Sequence, residues 1–497
     1  MQLVNYTLQS WANVGPLIDL PPLLDLILMV NILLAIFMIF TERRNPTSAL
    51  AWLSILLFLP AIGFVLYLVF GQNFHKRRMF RLKEQDDRYF REIIRTQKSD
   101  LLNHPHDFGD EHLEAFRSMV TMLLENNEAV LSRDNQLEVY TRGEDMFAAL
   151  LEAIKGARQH IHLEYFIIRD DLLGRSVIAA LAEKAREGIE VRLLYDAVGC
   201  NKVRKSFFSP LTESGGEVAS FFPAILPHIN LRVNYRNHRK IAVIDGVTGF
   251  IGGFNIGDEY LGKDPFLGYW RDTHLRIRGS AVYGLQLRFF MDWNFAARGD
   301  LGFEGKYFPS PQIQGAVAVQ VVSSGPDARW NQIKEGYLKL ISLARESIYL
   351  QSPYFVPDES VSDALRIAAL SGIDVRVMVP ARPDHPFVKW TNCSYIGELL
   401  EAGVRTYRYE KGFIHSKTVV VDGIAASVGT ANWDVRSFRL NFETNAFIYD
   451  CEIAGRLKRE FESDIQDSVE ITSEMYKKRS KIVKMKESVS RLFSPIL

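Results

Sequence analysis

The sequence predicts an α/β protein of two pseudo-symmetric α/β/α halves with mixed sheets, preceded by a pair of hydrophobic transmembrane helices. Three observations predict this architecture. One pattern of polar residues occurs twice, at residues 238–255 and 415–432. Around each copy, β-rich segments alternate with amphipathic helices, as in a sheet that is covered by helices on both faces. Two long apolar runs stand near the N-terminus.

The apolar runs are the first predicted elements. Residues 23–40 contain only Asp25 and Asn31 as polar positions, and residues 49–70 contain no charged residue. Each run is close to the roughly 20 residues that cross a bilayer core. Five Lys or Arg residues follow at positions 76–83, so the positive-inside rule places the C-terminal part in the cytoplasm. A kinked or re-entrant second segment, or two buried helices of a soluble protein, are the alternatives.

The length and the changes in composition predict several domains. A chain of 497 residues is too long for one core. We predict a membrane anchor at 1–75, a charged helical connector at 76–134, two related halves at 135–305 and 306–475, and a basic tail at 476–497. The tail alternates Lys and Arg with apolar residues. It is interpreted either as an amphipathic helix on an anionic lipid surface or as a solvated terminal helix.

The two halves repeat one order of elements. Residues 138–168 and 319–356 each predict a strand, a polar turn, an amphipathic helix and a second strand. In each half a further helix follows, and after it a strand within residues 187–196 of the first half or 371–380 of the second. The helices are predicted from apolar residues at helical spacing: Phe147, Leu150, Leu151 and Ile154 in the first half, and Ile333, Tyr337, Leu340, Ile341 and Ala344 in the second.

Composition excludes some functions. Lys plus Arg equals Asp plus Glu, at 59 each, whereas proteins that grip nucleic acid usually carry a basic excess. Cys200, Cys393 and Cys451 are far apart and odd in number. They predict a reducing compartment and neither a disulfide framework nor a zinc site. No nucleic acid, metal or cofactor is therefore expected.

The repeated pattern is H-x-K-x4-D-x6-G-x2-N. It aligns His238, Lys240, Asp245, Gly252 and Asn255 with His415, Lys417, Asp422, Gly429 and Asn432. Side chains alternate along a strand, so each His and Lys should share one face while Arg239 and Ser416 point to the other. Asp-Gly then predicts a turn. Two such motifs can place two imidazoles and two lysines around one phosphate.

Those residue types suit phosphodiester exchange. The reaction needs a nucleophile, a proton donor for the leaving oxygen, and donors for the non-bridging oxygens. Imidazole can attack or carry a proton near neutrality. Lysine and asparagine side chains can hold the phosphoryl oxygens without a metal. Two complete motifs in matching places are far more specific than a single one.

With these motifs, the sequence resembles the phospholipase D superfamily and, within it, the bacterial cardiolipin synthases. The closer resemblance rests on longer stretches such as IHLEYFIIRDD, GGFNIGDEY, WRDTHLRIRG and HSKTVVVDG. It covers nearly the whole chain except the tail. It implies two α/β/α halves that face each other, with one active site in the cleft between them.

The resemblance also implies residue roles. His238 is assigned as the nucleophile that forms a phosphohistidine, and His415 as the acid and then the base. Four residues are expected to bind the phosphate, namely Lys240, Lys417, Asn255 and Asn432. Asp272 and Glu443 match family acids that orient a catalytic histidine. Asp245 and Asp422 belong to the catalytic motif, but we interpret them as structural. Gly253 stands where most relatives have Ser or Thr, so a hydroxyl contact from that half is in doubt.

The implied reaction joins two phosphatidylglycerol molecules into cardiolipin and glycerol at a bacterial cell membrane, with catalysis on the cytoplasmic side. A homo-oligomer is compatible with this expectation. One alternative is a phospholipase D-type hydrolase or an exchange enzyme for other phospholipids. Another is a non-catalytic scaffold that binds anionic lipid, although such a scaffold has no need of both imidazoles.

Several other polar residues of the predicted strands are weaker candidates. His160 and His162 share a strand face and are interpreted as core or pocket-wall residues rather than metal ligands. The remaining candidates stand at strand ends and are expected to shape the cleft: Glu164, Tyr165, Asp196, Gln351 and Tyr354.

Overall fold

The structure is a computed structural model. It describes residues 26, 29–33, 35–36, 46–59, 63, 88–103, 110–223, 235–302, 304–310, 315–384 and 386–493. The described residues before position 80 belong to one compact unit, and those after it belong to a second.

The N-terminal unit contains helix α1, Pro46–Phe58. Leu50, Leu57 and Phe58 of this helix are exposed, whereas Leu56 is buried. Across the part of the chain that the structure describes, no helix combines the length and the hydropathy that a membrane crossing requires. The predicted spans at 23–40 and 49–70 lie partly outside the described residues and stay predictions.

The second unit contains both copies of the repeated motif. It begins with three helices: α2 Arg88–Asn103, α3 Glu111–Ala115 and α4 Arg117–Asn127. The first half then runs β1 Leu131–Tyr140, α5 Gly143–Gly156, β2 His160–Tyr165, α6 Leu172–Arg186, β3 Glu190–Asp196, α7 Ser209–Glu213, β4 Glu217–Phe221, β5 Arg236–Asn237, β6 Lys240–Ile244, β7 Thr248–Gly252, β8 Tyr269–Arg271, β9 His274–Arg278 and α8 Val282–Ala297.

The second half follows the same order and is extended at its end. It runs β10 Val317–Ser324, α9 Gln332–Leu343, β11 Ser347–Gln351, β12 Phe355–Val356, α10 Glu359–Leu370, β13 Asp374–Pro380, α11 Pro386–Glu401, β14 Arg405–Tyr409, β15 Gly412–Ile414, β16 Thr418–Val421, β17 Ala425–Gly429, β18 Trp433–Asp434, α12 Val435–Arg439, β19 Asn441–Tyr449, α13 Cys451–Gln466, β20 Ser468–Ile471, α14 Ser473–Lys477 and α15 Lys481–Phe493.

Most of the strands form one mixed sheet with a seam at its centre, whereas β8 with β15 and β12 with β18 form two separate two-stranded sheets. The order of the mixed sheet is β4-β3-β2-β6-β7-β9-β1-β10-β19-β17-β16-β11-β13-β14-β20. Outward from the antiparallel β1–β10 pair the strands of the two halves correspond one to one, and β20 is an additional edge strand of the second half, so the predicted two-half repeat and mixed sheet are confirmed. In each half, parallel strands (β2–β3 and β11–β13) continue into antiparallel ones (β2–β6 and β11–β16). The sequence did not predict that both sheets would join edge to edge.

Hydrophobic burial ties the halves together. Val139, Ile241 and Leu275 of the first half share a core cluster with Val420 and Ala446 of the second. Residues of α3 and α4 also enter the core of the second half, at Leu113, Phe116, Met119, Val120 and Leu123. Part of the predicted connector is therefore packed into the folded unit, because its apolar face is buried there.

The predicted helices lie where their periodicity places them. In α5, Phe147, Leu150 and Ile154 are buried, and in α9 so are Ile333, Tyr337, Leu340 and Ile341. These apolar faces cover the sheet, and the motif strands β6 and β16 lie near the middle of each half of it. The sheet therefore fixes the positions of both motifs.

Candidate active site

The two His-x-Lys pairs stand at the start of equivalent strands. His238 precedes β6 and His415 precedes β16, and both pairs are buried. The backbone N–H of His238 donates to the carbonyl of Phe442 at 3.0 Å, and that of His415 donates to the carbonyl of Arg271 at 2.7 Å. Each motif is therefore attached to a strand end of the opposite half.

Each histidine is held by a carboxylate of the opposite half. Nδ1 of His238 lies 3.0 Å from the Glu443 carboxylate, and Nδ1 of His415 lies 2.6 Å from Oδ2 of Asp272. A carboxylate accepts a hydrogen bond, so it favours the tautomer with the proton on Nδ1. Nε2 of each ring is then left with its lone pair. This is the atom that can attack phosphorus or receive a proton.

The carboxylates are held in turn. Thr430 Oγ1 donates to Glu443 at 2.6 Å and Asn441 Nδ2 at 3.1 Å, whereas the Thr273 N–H donates to Asp272 at 2.8 Å. Burial opposes ionisation of both acids, but His238 beside Glu443 and Lys417 beside Asp272 lower their pKa values. Both acids therefore carry a negative charge at neutral pH.

The lysines lie within the same electrostatic cluster. Lys240 Nζ donates to the carbonyl of His238 at 2.7 Å. Burial lowers the pKa of Lys240 to about 7 and that of Lys417 to about 8. Nζ of Lys417 also lies 2.9 Å from Nδ1 of His415. That nitrogen cannot accept while it donates to Asp272, so the shorter contact with Asp272 defines the tautomer.

The imidazoles are neutral near pH 7. Burial lowers the pKa of His238 to about 4 and that of His415 to about 3. The positive lysines add to this effect, and each acts on the histidine of the other half as well as on its own. The charge of each lysine therefore extends to the histidine of the opposite half.

The predicted phosphate-binding asparagines are also buried beside the motifs, but each has a partner in the protein. Asn255 accepts from the Ile167 N–H and donates to Tyr260 Oη, both at 3.1 Å. Asn432 lies next to Asp434, whose pKa burial raises to about 6. Contact of either amide with a phosphate stays a prediction.

Asp245 and Asp422 lie away from the histidines. Asp245 Oδ1 accepts from the N–H groups of Gln159 and His160 at 2.8 and 3.0 Å. Asp422 Oδ1 accepts from Glu346 and Ser347 in the same way, at 2.8 and 2.7 Å. Five residues of strand, on the order of 15 Å, separate each aspartate from its motif lysine. The structure does not bring these carboxylates to the site, which fits the structural interpretation.

The structure gives a steric reason for glycine at position 253 that the sequence did not reveal. A Cβ atom at this position would lie 1.9 Å from Oδ1 of Asp272. The equivalent residue, Thr430, turns its hydroxyl toward Glu443. The two halves therefore support their acids differently, with a backbone N–H at Asp272 and a hydroxyl at Glu443.

Aromatic rings beside the histidines were missed by the sequence analysis. Phe166 lies edge-on to His238 at a ring distance of 4.9 Å, and Trp270 is tilted against His415 at 5.1 Å. Trp270 Nε1 also donates to Asp272 at 3.4 Å. Its position two residues before Asp272 on a strand is the signal that could have identified it.

Two buried arginines were not predicted to form ion pairs near the site. Arg239 pairs with Asp292, and its Nε donates to Thr444 Oγ1 at 2.9 Å. Arg271 Nε donates to Asp464 of the other half at 3.0 Å. Asp292 lies on α8 and Asp464 on α13, and the first half supplies both arginines. For Arg239 the signal was the alternation of side chains along the strand, which predicted that this arginine points away from His238.

The weaker candidates lie at different places in the fold, and His160 and His162 stand at the end of β2 that lies beside Asp245, away from the motif histidines. His162 stacks on Phe289 at 4.6 Å and Nε2 of Gln286 lies 2.7 Å from its Nδ1, while His160 is buried beside it. In the described part of the chain, no three His, Cys, Asp or Glu side chains are grouped so that they could hold a metal. The others bond at strand ends: Glu164 to Asn237, Asp196 to the Asn237 N–H, Gln351 to Asp464 and Tyr354 to Asp384. Tyr165 is buried at the end of β2.

Comparisons with known proteins show what the sequence is similar to. Residues 150–264 and 337–465 match the family described as cardiolipin synthase, phospholipase D-like domain. Residues 29–72 match the phospholipase D-nuclease N-terminal family.

The chain is also similar to individual proteins. It is 51% identical over 476 residues to the major cardiolipin synthase of Bacillus subtilis, covering 96% of this chain and 99% of that one. It is 50% identical to cardiolipin synthase 2 of Staphylococcus epidermidis, covering 94% and 96%. The crystal structure of phosphatidylserine synthase from Haemophilus influenzae aligns with a TM-score of 0.57 at 14% identity, over 76% of this chain and all of that one, and supports the fold alone.

Proposed function

The chain belongs to the phospholipase D-like cardiolipin synthase family, and we propose that it makes cardiolipin and glycerol from two phosphatidylglycerol molecules. The resemblance inferred from the motifs is thereby confirmed. The observation that carries the proposal is the crossed pair of dyads, in which Glu443 holds His238 and Asp272 holds His415. Relatives with near-complete coverage are named for this activity, and the chain is a phosphatidyltransferase of that type.

In the proposed first step, Nε2 of His238 attacks phosphorus of one phosphatidylglycerol. The bond from phosphorus to the glycerol headgroup oxygen breaks, and His415 gives that oxygen a proton. Glycerol leaves and a phosphatidyl-histidine stays on the enzyme. The assignment of His238 as the nucleophile follows the family resemblance. Burial lowers the pKa of both imidazoles, so each ring meets the requirement that an attacking nitrogen be free of a proton, and the pKa values do not choose between them.

The acid role of His415 requires a second proton on its ring. The surroundings within the chain, first burial and then Lys417, lower the pKa of His415. A bound phosphodiester brings a negative charge that opposes the lysines and favours the imidazolium, which Asp272 also stabilises. We therefore expect the lipid to bind together with one proton.

In the second step, the terminal hydroxyl of another phosphatidylglycerol attacks the phosphatidyl-histidine. Neutral His415 takes the hydroxyl proton, the nitrogen–phosphorus bond breaks, and cardiolipin leaves. Lys240, Lys417 and the two motif asparagines are the proposed donors to the non-bridging oxygens. One phosphodiester replaces another, so the exchange requires no nucleotide.

The proposal includes the location of the protein. Its relatives and its lipid substrates support association with the bacterial membrane. We propose that the two apolar runs at 23–40 and 49–70 anchor the chain and that the catalytic unit lies on the cytoplasmic side, as the basic residues at 76–83 favour.

Incubation of the purified full chain with phosphatidylglycerol alone tests the function. We expect cardiolipin and glycerol in equal amounts, detected by lipid mass spectrometry and a glycerol assay, with or without a chelator. Phosphatidic acid as the main product would identify a hydrolase instead. Failure to form any product would favour the non-catalytic scaffold.

Gly253→Ser is expected to lower cardiolipin formation by about 100-fold, because a Cβ atom there collides with the carboxylate that holds His415. Gly156→Ser is the matched control, since a Cβ at Gly156 meets no atom within 4 Å. Initial rates on phosphatidylglycerol, with circular dichroism to verify folding, measure both. Equal rates for the two variants would contradict the steric role of Gly253.

A further inference from the structure

The C-terminal helix α15 carries its apolar residues on the outside. Ile482, Met485, Val489 and Leu492 are 63%, 61%, 45% and 77% exposed. Their spacing of three, four and three residues places them along one face of a helix, here called the apolar stripe. The opposite face is the buried one, and it carries Glu487 and Ser490. This arrangement is the reverse of an ordinary surface helix.

Polar contacts hold the helix in this orientation. Glu487 pairs with Arg479 at 3.4 Å. Arg491 bonds to Glu398 of α11 at 3.1 Å, and its guanidinium lies 4.8 Å from the centre of the Tyr395 ring. Lys486 Nζ lies 5.1 Å from the centre of the Trp390 ring. The contacts of Arg491 and Lys486 attach one face of α15 to α11, so the apolar stripe faces outward.

The charge around the stripe selects the kind of surface it fits. At 100° per residue, Lys481 and Lys486 lie on the two sides of the stripe. Lys477, Lys478 and Lys484 are exposed nearby. Between residues 477 and 493 the single acidic residue is Glu487, which is buried against Arg479. An apolar stripe with lysines beside it suits the interface of an anionic bilayer, where acyl chains meet phosphates.

We propose that α15 docks the catalytic unit flat on an anionic lipid surface. The apolar stripe enters the acyl region and the lysines contact headgroup phosphates. The lipid identity rests on the proposed function, since phosphatidylglycerol and cardiolipin are both anionic. Docking at this helix would orient the catalytic unit on the surface that supplies both substrates. This contact is separate from the anchor predicted at the N-terminus.

A fluorescent probe on the full chain tests the contact directly. An environment-sensitive dye is attached to the cysteine of Met485→Cys, and Lys155→Cys at an exposed position of α5 gives the control site. Both variants also carry Cys451→Ser, because Cys451 is exposed and would react with the dye. We expect a blue shift at position 485 in phosphatidylglycerol vesicles and quenching by spin-labelled acyl chains. We expect neither effect at position 155, and a weaker shift in phosphatidylcholine vesicles. No shift at 485, or a shift without lipid that grows with protein concentration, would overturn the proposal.

Activity provides a second test. Replacement of the four stripe residues by Ser is expected to lower turnover of phosphatidylglycerol in vesicles by about 10-fold. In detergent micelles the catalytic unit does not have to dock on a bilayer, so the same replacement should change turnover by less than about twofold. Equal losses in vesicles and micelles would point to a folding defect and contradict the docking role. If the wild-type chain makes no cardiolipin in either medium, the proposed function fails, while the probe still reports on docking.

Discussion

His238→Asn and His415→Asn are each expected to lower cardiolipin formation by at least about 1000-fold, because each removes the ring that attacks or carries a proton. Asparagine is chosen because its side-chain amide can still donate a hydrogen bond to the buried carboxylate of Glu443 or Asp272, so the variant should remain folded. Initial rates with phosphatidylglycerol vesicles measure the loss. His112→Asn, at an exposed position of helix α3, is the control and should have no effect.

The same variants distinguish nucleophile from acid. A phosphatidyl ester of p-nitrophenol has a leaving group that departs without a proton. His415→Asn should therefore still release about one equivalent of p-nitrophenol as the phosphatidyl-enzyme forms, whereas His238→Asn should release none. The covalent adduct should be found at His238 by mass spectrometry under alkaline conditions. The opposite pattern would exchange the two roles, and full activity of either variant would refute a shared site.

Arg239→Leu is expected to lower the free energy of unfolding by about 3–5 kcal/mol, because it removes one partner of a buried ion pair. Arg239 is 1% exposed and Asp292 is fully buried. Burial, and then the charge of Asp292, raises the pKa of the neighbouring Glu164. Without the guanidinium, both carboxylates must be neutralised or hydrated inside the protein. Urea unfolding of the detergent-solubilised chain, followed by circular dichroism, measures the change.

Arg405→Leu is the matched control for this loss. Its pair with Glu470 is 44% and 40% exposed at the two side chains, so its removal should cost less than about 1 kcal/mol. The double variant Arg239→Leu with Asp292→Leu should recover part of the stability, because a buried pair can be replaced by apolar groups. Similar unfolding midpoints for the two single arginine variants would show that the buried pair is not needed for stability.

Much of the site could be predicted from local patterns. The repeated motif identified both histidines and both lysines, and strand alternation placed Arg239 on the opposite face from His238. Amphipathic spacing predicted α5 and α9. These inferences succeed because a strand or helix repeats its geometry over a few residues, so side-chain direction follows from position.

Other features could not be predicted because they depend on contacts between distant parts of the chain. The family resemblance suggested Asp272 and Glu443, but not that each acid holds the histidine of the other half. That exchange arises where β8 pairs with β15 and β5 pairs with β19 across the two halves. The need for glycine at position 253 likewise depends on Asp272, which reaches it from the next hairpin strand.

The sequence by itself predicted which groups would do the chemistry, and it determined that they occur twice and that their supporting strands and helices belong to two similar halves. The tertiary structure decided which group meets which, that both sheets share one seam, and that α15 turns its apolar stripe outward. The physical reason is the range of the interactions. Periodicity and motif spacing act along the chain, whereas the crossed dyads and buried ion pairs join residues 53 to 205 positions apart.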